Sequence, residues 1–79
     1  MQSETLNARS LTLLGQAIRR LRLRRSLTQV ELARRAGVSR QWLISIEQGQ
    51  INGPDLGLVM RLLDELDASL AVRVDAGES

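Results

Sequence analysis

The sequence predicts a mostly α-helical domain of four short helices followed by one C-terminal β-strand, and three observations predict it. Apolar residues recur at intervals of three and four through residues 11–66. The first three of these runs each follow a serine or threonine suited to capping a helix. After Ala68 the apolar period changes from 3.6 to 2.

The elements follow in order. Ser10 is placed to cap a helix whose stripe is Leu11, Leu14, Ile18 and Leu21, with Arg19, Arg20 and Arg24 outside it. The run stops near Ser26-Leu27. Thr28-Gln29-Val30-Glu31 reads as a capping box, in which the Thr28 hydroxyl takes the third amide and Glu31 reaches back to the cap. Val30, Leu32, Ala33 and Ala36 are the expected buried side of this second helix, and Gly37 its left-handed terminator. Val38 is a short link. Ser39 caps a third helix, Arg40 to Gln48, stopped by Gly49, with Leu43, Ile46 and Glu47 on one face and Arg40, Gln41, Ile44 and Ser45 on the other. Asn52-Gly53-Pro54-Asp55 is a loop and helix start, with Pro54 near the first turn. Leu56, Val59, Leu62, Leu63 and Leu66 make the fourth stripe. Ser69 to Asp75 alternates, placing Leu70, Val72 and Val74 on one face of a strand. A lone strand leaves its backbone unsatisfied, so it needs a mate: the same strand of a second copy or the N-terminal arm. The expected divisions are an arm at 1–9, a helical domain at 10–67, and a dimerisation strand and tail at 68–79.

Composition excludes several kinds of chemistry. Cysteine and histidine are absent, so no zinc finger, thiol nucleophile, imidazole base or disulfide framework is available, and no metal or cofactor is expected. Trp42 is the only aromatic residue, which removes stacking platforms for single-stranded nucleic acid. The acidic residues are scattered, without a nucleophile–base pair or a phosphate-cradling glycine loop, so an enzyme is not expected. No run of 18 apolar residues exists to span a membrane, and the N-terminus lacks the character of a secretory signal. Leu11 to Arg25 is amphipathic, arginine-rich and free of acid, as a presequence would be, but its apolar face is needed for the core. A domain of 79 residues buries only about 60% of its unfolded surface. With no metal or disulfide to reinforce it, self-association is expected.

Charge is divided along the chain. All eleven basic residues are arginine. Residues 1–48 hold nine of them against Glu4, Glu31 and Glu47, a balance of +6; residues 49–79 hold two against six acids, a balance of −4. A basic front and an acidic back suggest an anionic partner for the front, nucleic acid before membrane.

The second and third helices, joined through Gly37 with the small Ala33 four positions before it, make a helix-turn-helix. The third helix presents Arg40, Gln41 and Ser45 outward. Arginine can fork onto guanine, glutamine onto adenine and serine onto either, while Ile44 could touch a thymine methyl. Taken alone, each of these is an ordinary solvated side chain. Arg19, Arg20, Arg24, Arg25, Arg34 and Arg35 read as a basic field of which some members reach phosphates. Trp42 reads as packing at the edge of the motif or on a dimer.

Leu14-Gly15-Gln16-Ala17-Ile18-Arg19, then Leu27 to Gln41, then Ile46-Glu47-Gln48-Gly49, resembles the Xre or Cro/phage-repressor family of DNA-binding domains over roughly residues 11–67. The resemblance implies a four-helix, lambda-repressor-like fold. The family's usual fifth helix is missing. Leu56 to Leu66 followed by a strand is instead similar to the HipB-type antitoxins, whose strands pair across a dimer. By this resemblance Arg40, Gln41, Ile44 and Ser45 match base-reading positions, although Ile44 departs from the polar residue often found there. Gln29 matches a position that bonds a phosphate and braces the recognition helix. Thr28 and Ser39, at helix N-termini, would offer hydroxyls and amides to phosphates, and Arg19 and Arg34 would add charge. Arg22 and Glu47 match a structural Arg–Glu pair. Ser26 replaces a usual glycine, at the cost of a little strain if its φ is positive.

The function so implied is a cytoplasmic, nucleoid-associated homodimeric regulator, a repressor on a palindromic double-stranded operator. Leu70, Val72 and Val74 would lie in the dimer core. The HipB likeness implies a further role as antitoxin to a HipA-type kinase toxin. A rival reading is a protein-interaction module of the same fold that does not bind DNA.

Overall fold

Side-chain oxygens of Ser10, Thr28, Ser39 and Asp55 start the helices by accepting N–H groups of the first turn. In the computed structural model, which describes residues 4–75, these caps open α1 (Leu11–Arg24), α2 (Gln29–Ala36), α3 (Arg40–Glu47) and α4 (Leu56–Glu65). The Thr28 box forms in both directions: Glu31 N–H donates to Thr28 Oγ1 at 3.0 Å and Thr28 N–H to Glu31 Oε1 at 2.8 Å. Pro54 stands just before the α4 cap, where its missing N–H is not needed.

The four helices end alike. After α1, Ser26 N–H bonds to Leu23 O and Leu27 N–H to Arg22 O; after α2, Gly37 bonds to Arg34 and Val38 to Ala33. After α3, Gly49 bonds to Ile46 and Gln50 to Ser45; after α4, Asp67 bonds to Asp64 and Ala68 to Leu63. This is the Schellman pattern, and it requires a left-handed residue at the turn. Gly37 and Gly49 supply it at φ 73° and 68°, while Ser26 and Asp67 adopt it at φ 56° and 54° with a Cβ in place.

Every helix contributes to the centre. Ile18, Leu32, Leu43, Val59 and Leu62 are fully buried, and each such side chain contributes about 1.5–3 kcal/mol by leaving water. α1 packs on α3, and α2 packs on both α3 and α4. Ala33 is buried, as the close approach of α2 to α3 demands. A Cβ added at Gly15 would overlap the Ile46 carbonyl oxygen and come within 2.9 Å of the Glu47 carbonyl oxygen. Only glycine lets α1 approach the last turn of α3 this closely.

Two expectations are corrected. Val30 is 55% exposed rather than buried. At 100° per residue it lies about 110° from the middle of the Leu32, Ala33 and Ala36 face. Leu56 is also exposed, being the first residue of α4 and at the rim of its stripe. The strand expected at 69–75 is not formed, and there is no strand among the described residues. A single chain offers that segment no ladder, and Leu70, Val72 and Val74 are exposed. The outer parts of the arm and the tail, residues 1–3 and 76–79, lie outside the described residues.

Candidate nucleic-acid interface

α3 begins at Ser39, whose Oγ accepts the Trp42 N–H at 3.0 Å. Its first turn carries no acidic residue, so nothing opposes the positive end of the helix dipole there. Leu43 and Ile46 anchor one face in the core, and Trp42 packs partly against it. This rotation leaves Arg40 and Gln41 exposed, with Ile44 and Ser45 half-buried one turn further on. All four positions expected to read bases share this outer side, the first two most openly.

The other end of α3 is held by a buried polar network. Arg22 of α1 donates from Nε to Glu47 Oε2 at 2.7 Å and from Nη2 to Glu47 Oε1 at 3.0 Å. Arg22 Nη1 donates to the Leu27 carbonyl at 2.9 Å, and Gln29 Nε2 donates to Glu47 Oε1 at 3.1 Å. Among the described residues no buried side-chain nitrogen or oxygen lacks a partner. Gln29 therefore braces the end of α3 while sitting half-buried at the start of α2, and among the described residues nothing bonds to its amide oxygen.

A shallow, open cleft of about 630 Å³ runs between the C-terminal half of α1 and the starts of α2 and α3. Arg19, Thr28, Gln29 and Arg40 line it together with the exposed Leu23 and Val30. The fold thus brings together three of the expected phosphate-binding residues and one expected base reader. Ser39 lies beside Arg40, whereas Arg34 stands apart at the far end of α2, exposed. At the start of α2 the Thr28 amide is already bonded to Glu31, leaving the Gln29 and Val30 amides facing outward without intrahelical acceptors. The Thr28 amide and hydroxyl, with Arg35 and Arg34 nearby, hold the Glu31 carboxyl below its ordinary value.

Pairing across the fold selects which arginines remain free. Arg24 is paired with Glu4, Arg25 with Asp67, Arg9 with Asp75 and Arg22 with Glu47. Among the described residues Arg19, Arg20, Arg34, Arg35, Arg40 and Arg61 have no carboxylate within ion-pair distance. The basic field read from the sequence is therefore narrower than its arginine count, because Arg24 and Arg25 are engaged within the chain. Arg61 was not singled out by sequence. Its guanidinium carbon lies 3.8 Å from where a Gly37 Cβ would stand, placing a free positive charge beside the turn between α2 and α3. No sequence signal joins positions so far apart.

Residues 13–76 match the family model described as a helix-turn-helix domain. Among solved structures, the restriction-modification controller protein C.AhdI from Aeromonas hydrophila is 34% identical, with a TM-score of 0.70 over 75% of this chain and 88% of that one. SinR, the master regulator for biofilm formation, solved in complex with DNA, is 32% identical at TM-score 0.67, covering 71% of this chain and 89% of that one. A HipB–O2 20mer complex is 25% identical at TM-score 0.78, covering 92% of this chain and 99% of that one. No curated protein matches the chain.

Proposed function

The chain belongs to the helix-turn-helix domain family, and we propose that it is a DNA-binding transcriptional regulator that acts as a homodimeric repressor on a palindromic operator. The observation that carries this reading is the start of α3, where Arg40 and Gln41 stand exposed on an acid-free first turn beside the cleft lined by Arg19, Thr28 and Gln29. Arg40, Gln41, Ile44 and Ser45 would meet base edges, and Thr28, Gln29, Ser39, Arg19 and Arg34 would meet phosphates. The Arg22–Glu47 pair would keep α3 at a constant angle to both. DNA complexes among the similar structures support this use of the fold.

In a dimer held through Leu70, Val72 and Val74, two copies of α3 would enter successive major grooves about 34 Å apart. If each subunit meets four phosphates, the slope of log K against log salt is about −7. Among the described residues no helix is long and apolar enough to cross a membrane. Work beside the nucleoid in the cytoplasm fits the same reading.

Selection of bound sequences from a random DNA pool tests the proposal. The expected result is an enriched palindrome and a steep salt slope. No enrichment, or a slope shallower than about −2, would overturn it and favour a protein-interaction module. The breadth of the HipB likeness, which reaches 92% of the chain, supports the narrower role of antitoxin to a HipA-type kinase. Co-purification with the product of the neighbouring gene tests that role, and a product that is not a kinase or does not bind would count against it.

A further inference from the structure

The N-terminal arm lies back along α1 and is held at both ends. Arg9, just before the Ser10 cap, pairs with Asp75 at 3.3 Å. Glu4 reaches the other end of the helix, where Arg24 donates to both of its carboxylate oxygens, from Nη1 to Oε1 and from Nη2 to Oε2 at 3.0 Å. From Glu4 to Ser10 is about 20 Å of extended chain, and from Ser10 to Arg24 about 21 Å at helical rise, so the arm is stretched nearly straight. Leu6 is half-buried between the two anchors.

The face that Glu4 reaches is basic. Gln16, Arg19, Arg20, Leu23 and Arg24 line a shallow, open groove of about 500 Å³ there, with no acid among them. Arg19 and Leu23 also line the cleft that holds Thr28, Gln29 and Arg40, so the groove continues the candidate interface around α1. Glu4 is the anion that meets these arginines. Its hydrogen bonds with Arg24, together with the charges of Arg24 and Arg20, hold its carboxyl below the ordinary value.

A carboxylate gripped by the guanidinium fork resembles a phosphate gripped the same way, since each offers two acceptor oxygens to one pair of N–H groups. Both partners are well exposed, 41% for the Arg24 side chain and 51% for Glu4, so the pair is screened and opens at little cost. A backbone phosphate that replaces Glu4 also releases a counterion from the DNA, a gain the carboxylate does not offer. Arg20 stands four positions before Arg24, on the same side of the helix, and among the described residues no carboxylate lies within its ion-pair distance.

We propose that residues 4–9 are an autoinhibitory strap, in which Glu4 holds, on Arg24 and beside Arg20, the seat that a phosphate of the DNA backbone takes when the arm leaves. This inference rests on the DNA-binding reading and deepens it. The outer face of α1 adds a sequence-independent contact that the free protein keeps covered.

Fluorescence anisotropy with a random-sequence duplex tests the strap, because a phosphate contact does not depend on sequence. Glu4→Gln is expected to tighten binding by about two- to fivefold for each bound protomer, the scale of one exposed ion pair. The gain should vanish when Arg24→Gln is added. Asp64→Asn removes the same charge from an exposed position on α4 and should give a smaller gain. No gain from Glu4→Gln, a gain that persists without Arg24, or one equal to that of Asp64→Asn would overturn the strap. The arm itself is followed separately. The chain has no cysteine, so a nitroxide on Thr5→Cys reports the arm alone. Its spectrum should narrow when duplex is added, and an unchanged or broadened spectrum would overturn the displacement. An unaltered chain that binds no duplex refutes the DNA-binding reading and the strap together, whereas one that binds and fails these tests refutes the strap alone.

Discussion

Arg22 holds Glu47 through two parallel hydrogen bonds, at 2.7 and 3.0 Å, with only 8% and 2% of the two side chains exposed. The pair joins the last full turn of α1 to the last residue of α3, and Gln29 adds the start of α2 to the same carboxylate. Desolvating two charges offsets most of their attraction, so the pair adds little net stability. Its forked geometry, however, ties α1, α2 and α3 together at one carboxylate.

Removing one partner leaves the other charged and buried. Glu47→Ala should lose about 3–5 kcal/mol of unfolding free energy, measured by urea denaturation. The double replacement of Arg22 by Met and Glu47 by Leu should recover most of that loss. A single-variant loss below about 1 kcal/mol would contradict the buried pairing.

Gly15→Ala places a methyl group against the Ile46 and Glu47 carbonyls, which cannot move without shifting α3. A loss of at least about 1–3 kcal/mol is expected, together with weaker DNA binding by the folded fraction. Retention of full thermal stability would show that the helices separate at little cost.

Ser26 ends α1 with a φ of 56° that its Cβ disfavours. Ser26→Gly should therefore stabilise the fold by up to about 1 kcal/mol in urea titrations, leaving DNA affinity unchanged. A destabilised variant would mean that the serine side chain contributes more than its strain costs.

Gln41→Ala should lose about 1–3 kcal/mol on the selected operator and little on random DNA, because a base contact discriminates while a phosphate contact does not. Arg34→Ala should weaken both alike and make the salt slope shallower by about one. Fluorescence anisotropy across salt concentrations distinguishes the two roles.

The Glu31 carboxyl titrates below its ordinary value of about 4.5 because it accepts the Thr28 N–H and hydroxyl interactions. A lowered folded-state value means that this increment of stability is fully present above about pH 4.5 and is lost as pH falls through the lowered value. Urea titrations from pH 7 to pH 3 should show the stability gap between the natural chain and Glu31→Gln closing below that point. A gap independent of pH would remove the ionised cap.

Helix starts and stops were legible in the sequence, since caps and Schellman turns join residues three to five apart. Ser10, Thr28, Ser39 and Gly37 stand where local chemistry puts them, and the positive φ of Ser26 meets the condition raised by the family resemblance, which has a glycine there. Periodicity also found Ile18, Leu32, Leu43, Val59 and Leu62, but it could not separate a stripe's middle from its rim. Val30 and Leu56 were misplaced for that reason. In the candidate interface, the outward positions of Arg40 and Gln41 were readable because the apolar face of α3 leaves them only one direction.

The sequence by itself determined where the four helices lie, which faces they bury and that the first half is rich in arginine. Only the tertiary structure decided which arginines remain free. The family resemblance had implied the Arg22–Glu47 pair, but Glu4 and Arg24, Arg25 and Asp67, and Arg9 and Asp75 are separated by 20, 42 and 66 positions and no sequence signal joined them. A cap reaches along a few residues of its own chain and is written in their order. Charge neutralisation needs contact in space, since water and salt screen it beyond about 8–10 Å, and that contact exists only once the helices have packed.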